Sequence, residues 1–362
     1  MVEVCSEGYK GKMKKVMVAM SGGVDSSAAA LLLKERGYEV RGVTMCLGVK
    51  GTDQEKASCC GPEAVEDARG VCQRLGIPHH VLDYSIELED KVIKSFVLSY
   101  MAGITPNPCI DCNRYLKFGT LLQRAQVMGF DYLATGHYAA IEKNESGYHL
   151  KKPKDKQKDQ TYFLYPIRRE HLGSILFPLA SFTKQEVRAL AQGAGLPVAG
   201  KPESQDICFV TGKSHGAFVT GRVPGIRPGP IVDMNGKFLG EHKGIVHYTI
   251  GQRGGLGISS REPLYVCAID ARENRIVVGG RKDLKVKGLV AGDLNILLWP
   301  WPEKVLAMTR YRKKEFPCSI SRQAHRVQAT FDEEQEAVAP GQAVVFYDGD
   351  VVLGGGRIEE TF

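Results

Sequence analysis

The sequence lacks the long apolar runs that would place it in or across a membrane. No hydrophobic stretch approaches the roughly 20 residues of a membrane-spanning helix, and the N-terminus has no apolar signal-peptide core. Internal repeats and low-complexity tracts are also absent. The excess of one charge sign is small: the net charge of +7 is compatible with a nucleic-acid partner but does not establish one. We therefore expect a cytoplasmic globular protein without a membrane partner.

The first half of the chain alternates strand-like and helix-like segments. Strands are predicted at 39–45, 79–82 and 132–135, and helices at 62–75, 87–100, 118–128 and 183–194. This alternation predicts an α/β fold with a doubly wound parallel sheet, whose ligands bind at the carboxyl ends of the strands. Gly and Pro become frequent after about residue 212, and short strands dominate. We therefore divide the chain into an α/β domain (1–212), a small β-rich domain (213–285) and a C-terminal β-barrel or sandwich (286–362).

A strand, a glycine turn and a helix start open the α/β domain. The apolar run Val16–Met20 predicts a buried strand, and Ser21–Ser27 reads Ser-Gly-Gly-Val-Asp-Ser-Ser. Two glycines permit a tight turn, and the free N–H groups of the helix start attract an anion. A Walker loop is excluded because no Lys precedes the serine, and the glycine spacing of a dinucleotide fingerprint is missing. The turn is therefore predicted to hold phosphate.

Cysteines form a second notable constellation, since ten are present and a reducing compartment disfavours a disulfide scaffold. Cys109 and Cys112 form a C-x-x-C pair within 105–113, where prolines predict an extended loop rather than a helix. Such a pair can be a redox dithiol, half a metal site, or a nucleophile with a neighbour. Cys208 lies among polar residues, which favours a functional thiol. Structural or incidental roles are predicted for the remaining cysteines, among them Cys5, Cys59 and Cys60.

Together these motifs resemble the bacterial tRNA-specific 2-thiouridylases, which are N-type ATP pyrophosphatases. The resemblance runs from about Lys14 to the C-terminus. Its motifs occur in the family's order: Ser21–Ser26, Gly136–Tyr138, Lys158–Gln160, Cys208 within Ser-Gln-Asp-Ile-Cys-Phe, Tyr248–Arg253, Arg310–Tyr311 and Pro340–Gln342. The resemblance implies an adenine nucleotide alpha hydrolase-like domain. It also implies that ATP adenylates the C2 oxygen of the wobble uridine and that sulfur then replaces this oxygen, with AMP and pyrophosphate as products.

The resemblance also implies site residues, cofactors and partners. Cys208 carries a persulfide, and Cys112 is the second catalytic thiol, which attacks to free the sulfur or closes a disulfide with Cys208. The cofactors are ATP and Mg²⁺, and the partners are the tRNA anticodon stem-loop and an upstream sulfur donor or relay protein. The implied ATP contacts are Ala19, Met20, Ser21, Gly22, Gly23, Val24, Asp25, Ser26, Met45 and Gly136. The implied tRNA contacts are Asn107, Pro108, Cys109, His137, Lys158, Asp159, Gln160, Arg310, Tyr311 and Gln342.

One residue departs from the family pattern. The family's usual loop is Asn-Pro-Asp-x-x-Cys, with the Asp proposed as an acid/base group, but this position is Cys109. A thiol has a much higher ordinary pKa than a carboxylate and cannot simply take its role, and Asp111 is out of register. Either another group serves, or Cys109, Cys112 and Cys208 ligate a 4Fe-4S cluster with one open iron. The cluster and the cluster-free persulfide route both stay open.

Further alternatives remain at this stage. Asp25 either organises Mg²⁺ or plays a structural role at the helix start. A synthetase with the same loop would adenylate a small substrate and would not need the paired loop cysteines. A non-catalytic tRNA-binding or metal–sulfur carrier could retain the nucleotide fold, although the intact Ser21–Ser26 loop argues against it.

Overall fold

The first half of the chain alternates strands and helices, as the sequence predicts. A computed structural model describes residues 13–48, 62–202, 207–210 and 214–362; Cys5, Cys59, Cys60 and the predicted 212/213 boundary lie outside them. The elements are β1 (Lys15–Ala19), α1 (Val24–Glu35), β2 (Glu39–Cys46), α2 (Pro62–Leu75), β3 (His79–Asp83), α3 (Ser85–Leu88), α4 (Lys94–Met101), α5 (Pro108–Asp111), α6 (Leu122–Val127), β4 (Tyr132–Ala134), β5 (Ala140–Asn144), β6 (Gly147–Lys151), α7 (Thr161–Leu164), β7 (Ile175–Leu176) and α8 (Lys184–Gly193). π-Helical turns at Glu89–Ile93 and Cys112–Leu121 join α3 to α4 and α5 to α6, and 3₁₀ turns lie at Lys156–Lys158 and Arg169–Ser174.

Five of these strands form a parallel sheet that is covered on both faces. The strand order is β3-β2-β1-β4-β7, with β1 in the centre. Side chains alternate across β1: Met17 packs into the cluster formed by α4 and the π-helical turns, whereas Val16 and Val18 pack against α1, α2 and α8. Because β1 is buried on both sides, its continuous apolar run is explained, and the predicted doubly wound α/β class is confirmed.

The rest of the chain is mostly antiparallel. Its elements are α9 (His215–Thr220), β8 (Gly229–Val232), β9 (Phe238–His242), β10 (Tyr265–Asp270), β11 (Arg275–Gly279), β12 (Lys285–Ile296), β13 (Lys304–Met308), β14 (Phe316–Gln323), β15 (Arg326–Glu336), β16 (Ala343–Asp348) and β17 (Val351–Thr361), with 3₁₀ turns at Ile245–His247 and Arg281–Leu284. Strands β8 to β11 form a four-stranded sheet in the order β10-β11-β8-β9. The sheet packs into the same apolar cluster as α4, so this part contacts the α/β domain.

Strands β12 to β17 close into a six-stranded barrel. Their order is β12-β15-β14-β13-β16-β17, and β12 also pairs with β17. The interior is filled by a separate apolar cluster that includes Phe316, Phe331 and Phe346. The predicted C-terminal barrel is therefore confirmed, and the sandwich alternative is not what forms. The exact division at residues 285 and 286 stays a prediction.

A hairpin from the α/β domain extends the barrel sheet. β5 and β6 pair antiparallel, and β6 joins β17 through the pairing of Lys151 with Val351. The sequence analysis did not identify this hairpin. Nearby, the Tyr162 hydroxyl in α7 donates to the Ala343 carbonyl in β16 over 3.0 Å. The barrel and the α/β domain are therefore joined by backbone and side-chain hydrogen bonds.

The prediction of an extended loop at 105–113 is wrong. Pro108 is the first residue of α5, which continues through the π-helical turn Cys112–Leu121 into α6. Proline is favoured at the first helical position because its missing N–H would have no partner there. Both Cys109 and Cys112 therefore lie in the first turns of a long helical run. Within the described residues, no helix is both long enough and apolar enough to cross a membrane.

Candidate active site

The turn between β1 and α1 forms a loop at the carboxyl edge of the parallel sheet. The backbone N–H of Ser21 donates to Ser26 Oγ over 3.1 Å, and the Ser26 hydroxyl donates to the Gly23 carbonyl over 3.2 Å. Gly22 has a φ of 72°, and a Cβ there would lie 2.4 Å from the Ala64 carbonyl oxygen, so only glycine fits. The free N–H groups at the start of α1 make the turn suitable for phosphate.

The strand next to β1 supplies a second wall to this loop. Gly136 follows β4 and packs directly on the backbone of the loop. A Cβ at Gly136 would lie 2.6 Å from both the Asp25 carbonyl carbon and the Ser26 nitrogen. Since backbone atoms cannot yield as a flexible side chain can, this close approach requires glycine.

Asp25 is held by two side chains from other elements. Lys184 Nζ, at the start of α8, lies 2.7 Å and 2.8 Å from the two carboxylate oxygens. The Tyr138 hydroxyl donates to Asp25 Oδ1 over 2.9 Å. Lys184 is 9% exposed, so this ion pair is largely shielded from water. The geometry supports the structural role for Asp25 of the two that the sequence left open.

A cleft of about 370 Å³ opens beside the phosphate-binding loop. Cys109, Cys112 and Cys208 line this cleft together with Ser21, Asp25 and Ser26 of the loop. The three cysteines are far from the loop in sequence. The lining residues of the cleft are Ala19, Met20, Ser21, Asp25, Ser26, Val43, Met45, Leu47, Leu88, Val92, Pro108, Cys109, Cys112, Lys117, Thr135, Gly136, His137, Gln160, Ile207, Cys208 and Phe209. The structure therefore places most of the predicted ATP contacts and both predicted catalytic thiols around one cleft.

The cleft thiols differ in exposure. Cys112 is buried, while Cys109 and Cys208 keep exposed surface. Burial raises the pKa of Cys112 to about 11. Cys109 keeps exposed surface, but the protein packed around its sulfur still raises its pKa above the ordinary value. Nearby Cys208 also raises the pKa of both thiols, whereas Lys117 opposes these effects. Deprotonation of Cys112 near neutral pH therefore needs help from a cation.

The arrangement of the thiols does not fit a cluster or metal ion. Among the described residues, no three His, Cys, Asp or Glu side chains are grouped so that they could hold a metal. Cys109, Cys112 and Cys208 share the cleft without forming such a group. For Mg²⁺, the one carboxylate among the described lining residues is Asp25, and Lys184 already binds it. The described residues of the cleft therefore do not form a protein site for an iron–sulfur cluster or for Mg²⁺.

Two ion pairs fasten the thiol-bearing helix to the barrel. Arg357 in β17 lies 3.0 Å from Asp111 Oδ1, between the two cysteines of the C-x-x-C pair. Arg114 binds Asp293 in β12 with both guanidinium nitrogens, one of them at 3.0 Å. Asp111 is only 2% exposed, and its burial raises its pKa. Asp111 therefore serves as an anchor and does not face the cleft as a substitute acid/base group.

Several predicted tRNA contacts make hydrogen bonds within the protein. The Gln342 amide donates to the Thr105 carbonyl over 2.9 Å, just before α5. Gln160 Oε1 accepts from the Tyr138 backbone N–H over 2.8 Å, and Asp159 Oδ1 accepts from the Thr161 hydroxyl over 2.7 Å. These side chains stabilise turns around the cleft, and their contact with tRNA stays a prediction.

The other predicted tRNA contacts are distributed around the cleft and the barrel. His137 lines the cleft, its Nδ1 lies 2.7 Å from Thr135 Oγ1, and burial lowers its pKa well below the usual range. The Tyr311 ring packs 4.4 Å from the Phe163 ring, while Arg310 is exposed. Asn107 begins α5 as its cap, and Lys158 ends a 3₁₀ turn. Among the predicted tRNA contacts, all of which lie in the described residues, Arg310 is the exposed charged side chain, whereas Lys158 is half-buried.

Three further residues around the site were not predicted from the sequence, and a fourth, Asp111, was considered there only as an acid/base group that is out of register. Lys117 lines the cleft, Lys184 binds the loop carboxylate, and Asp111 and Arg357 join the thiol helix to the barrel. The helix at 183–194 was predicted, and Thr183 and Glu186 form its capping box, but nothing in the sequence indicated the contact that Lys184 makes. Its partner Asp25 lies 159 positions away.

The fold and the cleft define a class of nucleotide-binding α/β proteins with thiols beside the phosphate-binding loop. Family models match three successive segments: the tRNA methyl transferase HUP domain at 14–212, the tRNA methyl transferase PRC-barrel domain at 216–280, and the aminomethyltransferase beta-barrel domain at 287–358. The first covers more than half of the chain.

The names of curated relatives state an activity. A tRNA-specific 2-thiouridylase MnmA 1 of Syntrophus aciditrophicus is 60% identical over 96% of this chain and 93% of its own length. The MnmA proteins of Acetivibrio thermocellus and Clostridium botulinum are 49% and 47% identical, each over 96% of this chain and over 99% and 98% of their own lengths. The chain belongs to the tRNA-specific 2-thiouridylase family, as the resemblance predicted.

Proposed function

We propose that this protein is a tRNA-uridine 2-sulfurtransferase that thiolates the wobble uridine at the expense of ATP. The observation that carries the proposal is the cleft itself, in which the phosphate-binding loop and three thiols meet. A small-substrate synthetase would need the loop but not the thiols. A carrier protein would need the thiols but not a formed nucleotide loop. The family name supports the same activity.

The first half of the reaction activates the uracil. The C2 oxygen attacks the α-phosphorus of ATP, the bond to the β-phosphate oxygen breaks, and pyrophosphate leaves. In our proposal, the loop 21–26 and the start of α1 bind the phosphates through backbone N–H groups. The C2 oxygen then departs with AMP, which is a far better leaving group than the bare oxygen. The wobble base has to leave the anticodon stack to enter the cleft.

The second half transfers sulfur. The terminal sulfur of a Cys208 persulfide attacks C2, and AMP leaves with the original oxygen. The Cys112 thiolate then attacks the Cys208 sulfur, which breaks the S–S bond, frees the thiolated base and leaves a Cys112–Cys208 disulfide. An external thiol would reduce this disulfide, and an upstream donor would reload the persulfide. Cys208 keeps exposed surface, which suits reloading by a partner protein.

The substrate is proposed to lie across the cleft and the barrel. We propose that Asn107, Pro108 and Cys109 contact the target base, of which Pro108 and Cys109 line the cleft. His137, also in the cleft, and exposed Arg310 are proposed to contact the tRNA. This proposal also includes the anticodon stem-loop as the bound element and the predicted tRNA contacts. It further includes ATP contacts at Met45 and Gly136 and a cytoplasmic location.

The test is mass spectrometry of tRNA nucleosides after a single turnover of the protein with tRNA, ATP, Mg²⁺ and a persulfide donor, which already carries sulfur at the oxidation level that a Cys208 persulfide needs. We expect 2-thiouridine and stoichiometric AMP with the unmodified protein, and neither with Cys208→Ser. Cys267→Ser is the matched control, because Cys267 lies in β10, is not among the residues that line the cleft, and donates its thiol hydrogen to the Tyr265 carbonyl at 3.4 Å. A methylated uridine in place of a thiolated one, or full activity of Cys208→Ser, would contradict the proposal.

The cluster route is tested separately. Iron and acid-labile sulfide are measured on anaerobically purified protein, alongside a Cys109→Ser variant. The arrangement of the thiols favours the cluster-free route, so we expect neither iron nor sulfide. Stoichiometric iron that disappears in Cys109→Ser would establish the cluster.

A further inference from the structure

Cys208 lies in a short turn outside the helices and strands. The described part of this turn is residues 207–210, in which the Val210 N–H donates to the Ile207 carbonyl over 2.9 Å. Phe209 is the buried residue of this turn, at 4% exposure, whereas Cys208 beside it is exposed. Because no helical or sheet backbone holds the turn, the place of Cys208 depends on how the Phe209 side chain packs.

The Phe209 ring is held by two phenylalanines from separate helices. Its centre lies 5.2 Å from that of Phe96 in α4, with the ring planes at 89°, and 5.3 Å from that of Phe218 in α9, at 49°. Phe96 and Phe218 also contact each other, with ring centres 6.0 Å apart. All three separations lie in the range of favourable aromatic pairs. Two helices and the turn thus meet in one aromatic pocket, directly beside Cys208.

An ion pair joins this aromatic pocket to the wall of the cleft. The Arg222 guanidinium lies 4.7 Å from the centre of the Phe218 ring, and one of its nitrogens lies 2.8 Å and 3.0 Å from the two Glu89 carboxylate oxygens. Glu89 begins the π-helical turn that contains Val92, a residue that lines the cleft, and this turn leads into α4. The pocket and the cleft wall therefore belong to one packed unit, so the seat of Phe209 sets where the turn lies relative to the cleft.

We propose that Phe209 is a positioning residue, whose ring anchors the turn so that the Cys208 sulfur faces the cleft during sulfur transfer. A phenylalanine suits this task because its large ring has only two side-chain torsions and is fixed by a few contacts. Phe209 acts through Cys208, the adjacent residue, and takes no part in the chemistry itself. The inference deepens the proposed function and rests on it for the role of Cys208, but its first test needs neither ATP nor tRNA.

The first experiment measures how fast diamide oxidises Cys112 and Cys208 to a disulfide in the full chain, read by mass spectrometry of the linked peptides. Every protein in this experiment carries Cys109→Ser, so that the link to Cys208 comes from Cys112. Two thiols held in one cleft react with each other faster than a fixed thiol and a mobile one, so we expect Phe209→Ala to slow the reaction by roughly tenfold or more. Phe209→Leu keeps an apolar anchor and should stay within about threefold of the parent rate. Phe238→Ala is the matched control, because Phe238 lies in β9 and is 60% exposed.

A second measurement separates sulfur transfer from the other steps of the reaction. Single turnovers of the chain with its natural Cys109 follow pyrophosphate release, persulfide loading of Cys208 and formation of 2-thiouridine. We expect Phe209→Ala to slow the last step by roughly 10- to 100-fold, because a small misplacement of one reacting group is enough for such a loss. Pyrophosphate release depends on the loop 21–26 and loading on the exposed Cys208 sulfur, so both should stay within about threefold. Equal slowing of all three steps would indicate a merely structural role and would overturn the inference.

Folding is checked by far-UV circular dichroism and the melting temperature, and Phe218→Ala, which removes one wall of the pocket, gives a second reading if Phe209→Ala unfolds. We expect Phe218→Ala to slow disulfide formation as well, and the double variant to be no slower than Phe209→Ala, because both substitutions act through one contact. Disulfide formation at the parent rate in folded Phe209→Ala or Phe218→Ala would overturn the inference, as would equal slowing in Phe238→Ala. Slower disulfide formation in Phe209→Ala, together with no 2-thiouridine from the unmodified chain, would count against the proposed function alone.

Discussion

The ion pair between the barrel and the thiol helix allows a quantitative prediction. Arg357→Met would leave the Asp111 carboxylate buried, at 2% exposure, without its partner at 3.0 Å. Removing one partner of a buried pair commonly costs about 3–5 kcal/mol of unfolding free energy. The remaining positive charge of Arg114 also acts on Asp111, so we expect about 3 kcal/mol, at the lower end.

The barrel carries its own spectroscopic probe. Both tryptophans of the chain, Trp299 and Trp301, lie between β12 and β13, so tryptophan fluorescence during urea unfolding reports on the barrel. Arg326→Met is the matched control, because its pair with Glu359 is exposed and is expected to contribute under about 1 kcal/mol. The double variant Asp111→Asn, Arg357→Met removes the buried charge and should be more stable than Arg357→Met alone.

The pH dependence of this variant has a definite sign. Burial already raises the pKa of Asp111, and loss of Arg357 raises it further. A carboxyl group with a raised pKa binds its proton more tightly in the folded state, so stability is lost as pH rises from the ordinary carboxyl pKa to the raised one, and the loss is complete above the raised pKa. The destabilisation by Arg357→Met should therefore be largest near neutral pH and smaller toward acid. Equal unfolding free energies for Arg357→Met and Arg326→Met at neutral pH would refute this reasoning.

Two other substitutions probe the phosphate-binding loop. Gly136→Ala places a Cβ 2.6 Å from the Asp25–Ser26 backbone and should weaken ATP binding more than tenfold by calorimetry, whereas Gly193→Ala, where no atom lies within 4 Å of the added Cβ and the backbone is helical, should not. Lys184→Met should weaken ATP binding by roughly ten- to hundredfold, because it leaves the Asp25 charge facing the phosphates. Asp25→Asn in the Lys184→Met background should recover part of this loss, and unchanged affinity in Lys184→Met would contradict the role of the pair.

The elements that could be predicted from the sequence are those whose cause is local. The unbroken apolar run Val16–Met20 predicts the buried strand β1, which spans Lys15–Ala19. The helix predicted at 183–194 corresponds to α8, which begins at a capping box of Thr183 and Glu186. The error at 105–113 was also local. Prolines disfavour a helix interior, which is why 105–113 was predicted to be extended. Pro108 instead occupies the first helical position, where its fixed φ favours a helix.

The contacts that could not be predicted join residues far apart in the chain. Lys151 meets Val351 in the barrel sheet, and Asp111 meets Arg357 across 246 positions. Nothing in the local sequence of β5 and β6 indicates the barrel edge that they extend. The thiols of the cleft were predicted because their neighbours resemble a family motif. Nothing in the sequence indicated Lys117, because its place in the cleft depends on which face of a π-helical turn meets the cleft.

The charges along α5 and its π-helical continuation are divided between two tasks. Asp111 and Arg114 point to the barrel and bind Arg357 and Asp293, while Lys117 points to the cleft. The barrel thus fixes the rotation of the helix about its axis, and this rotation determines where the Cys112 sulfur and the Lys117 ammonium lie. A tRNA bound to the barrel would therefore be held in a fixed relation to the sulfur chemistry. For this reason we expect Arg357→Met to lower the stability of the barrel and also to change the rate at which iodoacetamide alkylates Cys112, as measured by peptide mass spectrometry. If the ion pair acted only on the barrel, the alkylation rate would stay unchanged.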